Sequence, residues 1–117
     1  MQKQYRLKKS EEIANIVKNR KRIGNNNYII YYKETKEEKC KVAISVSKKY
    51  GKAFLRNYAK RIVREIIREP IKKIKNVNFV IVVKENAKNT EFLTLKDELL
   101  NMIKYMIKKI RREHENK

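Results

Sequence analysis

The chain is poor in the residues that build stapled, metal-bound or hinged proteins. Of its 117 residues, one is Cys, one is Pro, one is His and two are Gly. A lone cysteine, Cys40, excludes an internal disulfide and a Cys-based zinc site. It fits a reducing compartment, and in its β-rich surroundings it is expected as a small strand hydrophobe. So little Gly and Pro excludes long flexible linkers. Gly24 and Gly51 stand alone, so no glycine-rich phosphate loop is present. Asp occurs once, at Asp97, and the only histidine is His114, in a charged tail. The glutamates are dispersed among Lys and Arg. That leaves neither an acid–base pair nor a carboxylate cluster for metal-assisted hydrolysis, so no catalytic and no metal-binding side chain is expected. No apolar run approaches the ~20 residues of a membrane span. The N-terminus, MQKQYRLKKSEEIANIVK, is basic but has no apolar core, and it carries Glu11 and Glu12, which transit peptides avoid. The expectation is a cytoplasmic, unprocessed protein.

What the chain has is positive charge. Lys and Arg number 32 against 13 Asp and Glu, a formal net charge of +19. Such an excess opposes compaction through self-repulsion, and a polyanionic partner offsets that cost. Nucleic acid is the first candidate. An anionic membrane surface is the weaker one, because the hydrophobic faces described below are committed to a core. Hydrophobic residues make up 41% of the chain. With this length they predict one modest core and a single domain over residues 1–117.

Patterning gives the elements. Ser10, followed by Glu11 and Glu12, reads as an N-cap with an acidic first turn. Ile13, Ile16 and Val17 then form a short apolar helical stripe that ends near Arg20. Gly24 to Asn27 reads as a loop. Tyr28 to Lys33 is β-branched and aromatic, a strand. Lys41 to Ser47 alternates, with Val42, Ile44 and Val46 on one face, and the two strands suggest a hairpin. A helix follows and stops at Pro70. Asn76 to Lys84 is almost wholly apolar, which predicts a central strand. Thr94 is placed to cap a last helix with Leu95, Leu99, Met102, Ile103, Met106 and Ile110 inward. From Arg111 the tail is expected to fray. The order α-β-β-α-β-α predicts an α+β sandwich, one small sheet packed with helices.

The stretch before Pro70, KKYGKAFLRNYAKRIVREIIREP, concentrates the charge. At helical spacing, Lys52, Arg56, Lys60, Arg64 and Arg68 follow one another at i, i+4, with Asn57 and Arg61 on the same side. Leu55, Tyr58, Ala59, Ile62 and Ile66 fall opposite. A merely solvated face mixes signs. Each like-charge pair at this spacing costs about 0.2–0.5 kcal/mol. The row therefore reads as phosphate binders, with Arg as a planar fork and Lys as a mobile point charge. Asn57 can both donate and accept, and so could orient a base, a sugar or a metal-bound water. Tyr28, Tyr31 and Tyr32 add aromatic rings on a strand, which suit either unpaired bases or core packing.

The run Val42 to Glu65 resembles the signature of the bacterial ribonuclease P protein subunit. The matching residues are Ser47, Lys48, Lys49, Gly51, Ala53, Arg56, Asn57, Lys60, Arg61 and Arg64, and the opening Arg6-Leu7-Lys8-Lys9-Ser10-Glu11 is similar too. The resemblance covers essentially the whole chain. It departs at Tyr58, where the family has the second Arg of Arg-Asn-Arg. It departs also at Ile13 and Val17, where the family usually has Phe, and at Arg20, where Gly is common. The resemblance implies a left-handed βαβ crossover. It implies an accessory subunit of an endoribonuclease whose partners are a catalytic RNA subunit and precursor tRNA, with no obligate protein partner and no membrane. In that family the RNA carries the chemistry with Mg²⁺, and the protein assists removal of the 5′ leader. The expected RNA face is Lys48, Lys49, Lys52, Arg56, Asn57, Lys60, Arg61, Arg64 and Arg68. The expected leader cleft is Ile13, Val17, Tyr28, Tyr31 and Ser45. Two other readings of the same charge are a structural RNA-binding protein, such as a ribosomal component, and an autonomous nuclease. The second conflicts with the missing acid–base cluster.

Overall fold

The computed structural model describes residues 2–115. Three helices and four strands follow the order α1 (Ser10–Lys18), β1 (Arg22–Gly24), β2 (Tyr28–Glu34), β3 (Val42–Val46), α2 (Ala53–Ile67), β4 (Val77–Val83) and α3 (Phe92–Glu115). The α+β architecture is as the patterning predicts, with one short strand added. The strands form a single sheet in the order β1-β2-β4-β3.

β4 is central, as its apolar composition requires. It pairs antiparallel with β2 (Tyr31 opposite Val80) and parallel with β3 (Ala43 opposite Val80). The expected β2–β3 hairpin is therefore absent. An all-apolar strand needs a neighbour on each edge and cover on each face, so β4 inserts between the two. β2 instead forms its hairpin with β1, where Ile23 lies opposite Ile30. The turn is an Asx turn: Asn25 Oδ1 accepts from the backbone N–H of Asn27 at 2.9 Å and of Tyr28 at 2.8 Å. Gly24 thus ends a strand rather than opening a loop. β3, α2 and β4 form the parallel crossover unit in which the resemblance expects its unusual hand.

One sheet face carries the main core. Tyr28, Ile30, Tyr32, Val42, Phe79 and Ile81 pack with Ala59, Val63 and Ile67 of α2 and with Leu95, Leu99 and Met106 of α3. Cys40 is fully buried there, its thiol donating to the Ile71 carbonyl at 3.3 Å, and burial pushes its pKa up to about 11. The other face is covered by α1 and the segment before it, with Ile16 and Leu7 packed against Val80. The N-terminal segment reaches this side by pairing with the β3 edge, the Leu7 N–H donating to the Val42 carbonyl at 3.1 Å.

Three end-of-element expectations change. Lys9, not Ser10, occupies the N-cap of α1, and it makes no side-chain cap bond. α3 begins at Phe92, two residues before Thr94, with the Leu95 N–H donating to the Glu91 carbonyl. The tail does not fray at Arg111: α3 runs to Glu115, held by Glu113 on Lys21 at 2.9 Å and by His114 on Glu34. These are long-range contacts that no local pattern announces.

Candidate nucleic-acid interface

The cationic surface begins in the turn after β3. Ser47 Oγ accepts from the Lys49 N–H at 3.3 Å and caps a short 3-10 turn that presents Lys48 and Lys49 to solvent. Gly51 follows at φ 144°, and a Cβ there would meet Leu55 Cδ1 at 2.9 Å. Only glycine allows this chain reversal to sit tightly on the first turn of α2. Lys52 is the N-cap residue of α2. Lys88, from the segment between β4 and α3, brings its Nζ within 3.6 Å of the same Gly51 position. It adds a fourth lysine to Lys48, Lys49 and Lys52. Lys88 has no helical or strand period around it, so only the fold reveals its place.

Along α2 the helix is rotated from the sequence expectation. The buried line is Ala59, Val63, Ile66 and Ile67, with Leu55 and Ile62 half-buried beside it. Val63 and Ile67 offer more apolar surface to the sheet than Tyr58, whose hydroxyl favours water. Tyr58, expected on the packed side, is 61% exposed. Arg56, Lys60 and Arg64 consequently flank the buried line and are half-buried, while Asn57, Arg61 and Arg68 are exposed. Among the described residues, Lys48, Lys49, Lys52, Arg56, Lys60, Arg61 and Arg64 have no carboxylate within 4.0 Å. Arg68, by contrast, pairs with Glu65 at 3.2 Å and Glu69 at 3.9 Å. The Nε of Arg56 and of Arg64 is buried with no hydrogen-bond partner among these residues. A buried donor left unpaired costs about 1–3 kcal/mol.

The second surface is the α1 side of the sheet. Register places Ile29, Tyr31, Ala43, Ser45 and Val82 on this face, and Ile13 packs at its margin from α1. Tyr31 and Ile13 are half-buried, Ser45 is exposed, and Val17 is 39% exposed. Four of the five expected cleft residues therefore lie on one side of the sheet. Tyr28 does not. Strand alternation turns it, with Tyr32, to the opposite face, where it is 1% exposed and burial raises its phenol well above the usual range. Residue type does not separate Tyr28 from Tyr31; strand parity does.

The two surfaces meet at the β3 edge. A hollow of about 200 Å³ is lined by Arg6, Leu7, Ile13, Val42, Ala43, Ile44 and Arg64. It joins a residue expected in the cleft, Ile13, to one expected on the cationic face, Arg64. Arg6 is a further cation that sequence reasoning did not single out, although it opens the resemblance. A second hollow, of about 520 Å³, shares Arg64 with the first and is lined by Gln2, Tyr5, Arg61, Glu65, Arg68, Ile71 and Lys72. Among the described residues, no group of three or more His, Cys, Asp or Glu side chains could hold a metal ion. No helix among them is long and apolar enough to cross a membrane.

Comparison with known proteins sharpens these observations. The family model of ribonuclease P matches residues 1–107. The chain is 48% identical over 98 residues to the ribonuclease P protein component of onion yellows phytoplasma, covering 82% of this chain and 70% of that one. It is 46% identical over 101 residues to that of Phytoplasma australiense, covering 82% and 85%. Among solved structures, it is similar to a Staphylococcus aureus RNase P protein mutant with defective mRNA degradation activity. That match has a TM-score of 0.82 and 30% identity over 89% of each chain. The RNase P protein of Thermotoga maritima gives a TM-score of 0.77 and 28% identity, covering 86% of this chain and 96% of that one.

Proposed function

Because this chain belongs to the ribonuclease P protein family, the protein component of a tRNA-processing endoribonuclease, we propose that it binds its RNA subunit through α2 and the preceding turn, and holds the 5′ leader of precursor tRNA on the α1 side of the sheet. The observation that carries this reading is the hollow at the β3 edge, where Arg64 and Ile13 share one wall. A chain lying on the open sheet face can pass its phosphates to the α2 cations without leaving the protein surface.

In this reading the unpaired cations neutralise RNA phosphates. A phosphate oxygen brought to Arg56 or Arg64 accepts from their terminal guanidinium N–H groups. Tyr31 offers a ring to an unpaired leader base, while Ile13, Val17 and Val82 give apolar contact and Ser45 a hydroxyl. The protein assists cleavage and the RNA subunit carries the chemistry with Mg²⁺. The setting proposed is the cytoplasm, with precursor tRNA and the RNA subunit as partners.

The test is single-turnover cleavage of a precursor tRNA at low Mg²⁺ by the RNA subunit alone, the protein alone, and both. Efficient cleavage by the pair only is expected. The protein-alone arm includes an mRNA, because the Staphylococcus aureus relative is described by an mRNA degradation activity. Cleavage by the protein alone would overturn the accessory role. No gain of the pair over the RNA alone would leave a purely structural RNA-binding role in its place.

A further inference from the structure

The outward line of α2 carries two large aromatic rings that the core does not use. Phe54 is 67% exposed and Tyr58 61% exposed. They stand four residues apart on one helix, so they neighbour each other, with about 5–6 Å between Cβ atoms. Exposed aromatics scattered singly need no explanation, but an adjacent pair on the most cationic helix of the chain does.

Their surroundings narrow the occupant. Lys52, Asn57 and Arg61 lie close along the helix, and neither Lys52 nor Arg61 has a carboxylate partner among the described residues. Glu65 is the nearest carboxylate along the same line, and Arg68 already holds it at 3.2 Å. A protein groove that accepted these rings would also have to match a positive rim. Phe54 has no hydrogen-bonding group, so the pair is not a phosphate site. Tyr58 stands where the family pattern has its second arginine, and there a phosphate-binding fork is exchanged for a flat ring. Flat rings inside a cationic rim suit an unpaired nucleobase, which stacks on the ring while its phosphates meet the cations.

We propose that Phe54 and Tyr58 form a stacking platform for unpaired bases of the RNA subunit, a bulge or loop docked against α2. This rests on the reading of α2 as the RNA-subunit face, and it adds to that reading a contact made by bases rather than phosphates. The platform lies on α2, apart from the leader-binding side of the sheet.

The chain has no tryptophan, so Tyr58→Trp places a single indole reporter on the platform. The full-length variant is titrated with the RNA subunit, with a short single-stranded oligoadenylate, and with an abasic oligonucleotide of equal length. Strong quenching by the first two, and little by the abasic strand, is expected. Equal quenching by all three would overturn stacking. In parallel, Phe54→Ala is expected to weaken RNA-subunit binding about ten-fold with an unchanged salt slope, because no charge is lost. Tyr58→Arg is expected to steepen the slope by about 0.7–0.9. Wild-type affinity in Phe54→Ala and Tyr58→Ala, with Arg56→Ala weakened, would sink the platform and leave the RNA face standing. If Arg56→Ala also bound like wild type, both would fall. Sedimentation of wild type and Phe54→Ala closes the remaining route: a dimer that the substitution dissociates would make the patch a contact between copies and overturn the proposal.

Discussion

The two faces of the sheet are finished differently. On one, α2 and α3 bury Tyr28, Ile30, Tyr32, Phe79 and Ile81 to 1% exposure or less. On the other, α1 is a helix of 9 residues whose only buried side chain is Ile16. It stops where Arg20 takes a φ of 64°, and it leaves Tyr31, Ser45 and Val17 within reach of solvent. The same strands build both faces, so composition does not make the difference. Helix length and strand parity do. The closed face holds most of the core, and the other keeps part of its side chains at solvent.

The sharpest way to break this comparison is to remove a large side chain from each face in turn. Leu99→Ala, at a site with no exposure, is expected to destabilise by about 3–5 kcal/mol, read as a fall in the urea midpoint. Val17→Ala on the open face is expected to shift that midpoint little, since the side chain is already 39% exposed. Comparable losses at both sites would mean that the α1 side is core rather than cleft.

The turn that leads into α2 comes next in size. Gly51→Ala forces a Cβ into Leu55 at 2.9 Å at a positive φ, and about 1–3 kcal/mol of strain is expected. Because the strain sits where Lys48, Lys49 and Lys52 are aimed, RNA-subunit affinity should fall as well. A stable protein with wild-type affinity would show that the turn relaxes without moving the lysines.

Much of this was legible in the sequence. The apolar run of β4 made it central, and the i, i+4 spacing of Arg56, Lys60 and Arg64 marked the cationic helix. The misreadings have local causes. Tyr28 and Tyr31 are alike in type and differ only in parity, which a strand reveals once its register is fixed. The β2–β3 hairpin failed because adjacency along the chain does not decide adjacency in a sheet, and β4 needed both edges. Tyr58 lies outside because Val63 and Ile67 belong to the apolar face of α2, and their burial turns the helix. Lys88, and the side-chain contacts that anchor α3, depend on residues far apart in sequence.

Single-side-chain effects on binding are smaller than the core loss. Tyr31→Ala is expected to weaken binding of leader-bearing precursor tRNA by the assembled complex about ten-fold, and to leave mature tRNA unaffected. Arg56→Ala should weaken RNA-subunit assembly and make the salt slope shallower by about 0.7–0.9. If the two substitutions gave the same pattern, leader binding and assembly would not be divided between the two surfaces.

The smallest effect concerns the pin at the end of α3, an anchor on the closed side. Glu113 accepts from Lys21 Nζ at 2.9 Å, with Glu34 a further 3.8 Å partner of the same ammonium and His114 on Glu34. The bond to Lys21 lowers the Glu113 carboxyl below its ordinary 4.5, and the bond to Glu113 raises Lys21 above 10.5. The signs fix a window. The carboxylate contribution is complete above pH 4.5 and disappears as pH falls through the lowered value. The ammonium contribution is complete below pH 10.5 and disappears as pH rises through the raised value. Both side chains are more than a third exposed, so solvent screening keeps the effect on global stability small. The readout is therefore local: amide exchange in the last turn of α3 should quicken relative to the α2 amides as pH drops below 4.5. Lys21→Met should bring the same quickening at neutral pH and remove the acid step. An acid step that persisted in Lys21→Met would show that the Lys21–Glu113 pair is not the pin. With no acid step in either protein, α3 would be held by its apolar line alone, Leu95 to Met106, and closure of the core face would owe nothing to charge.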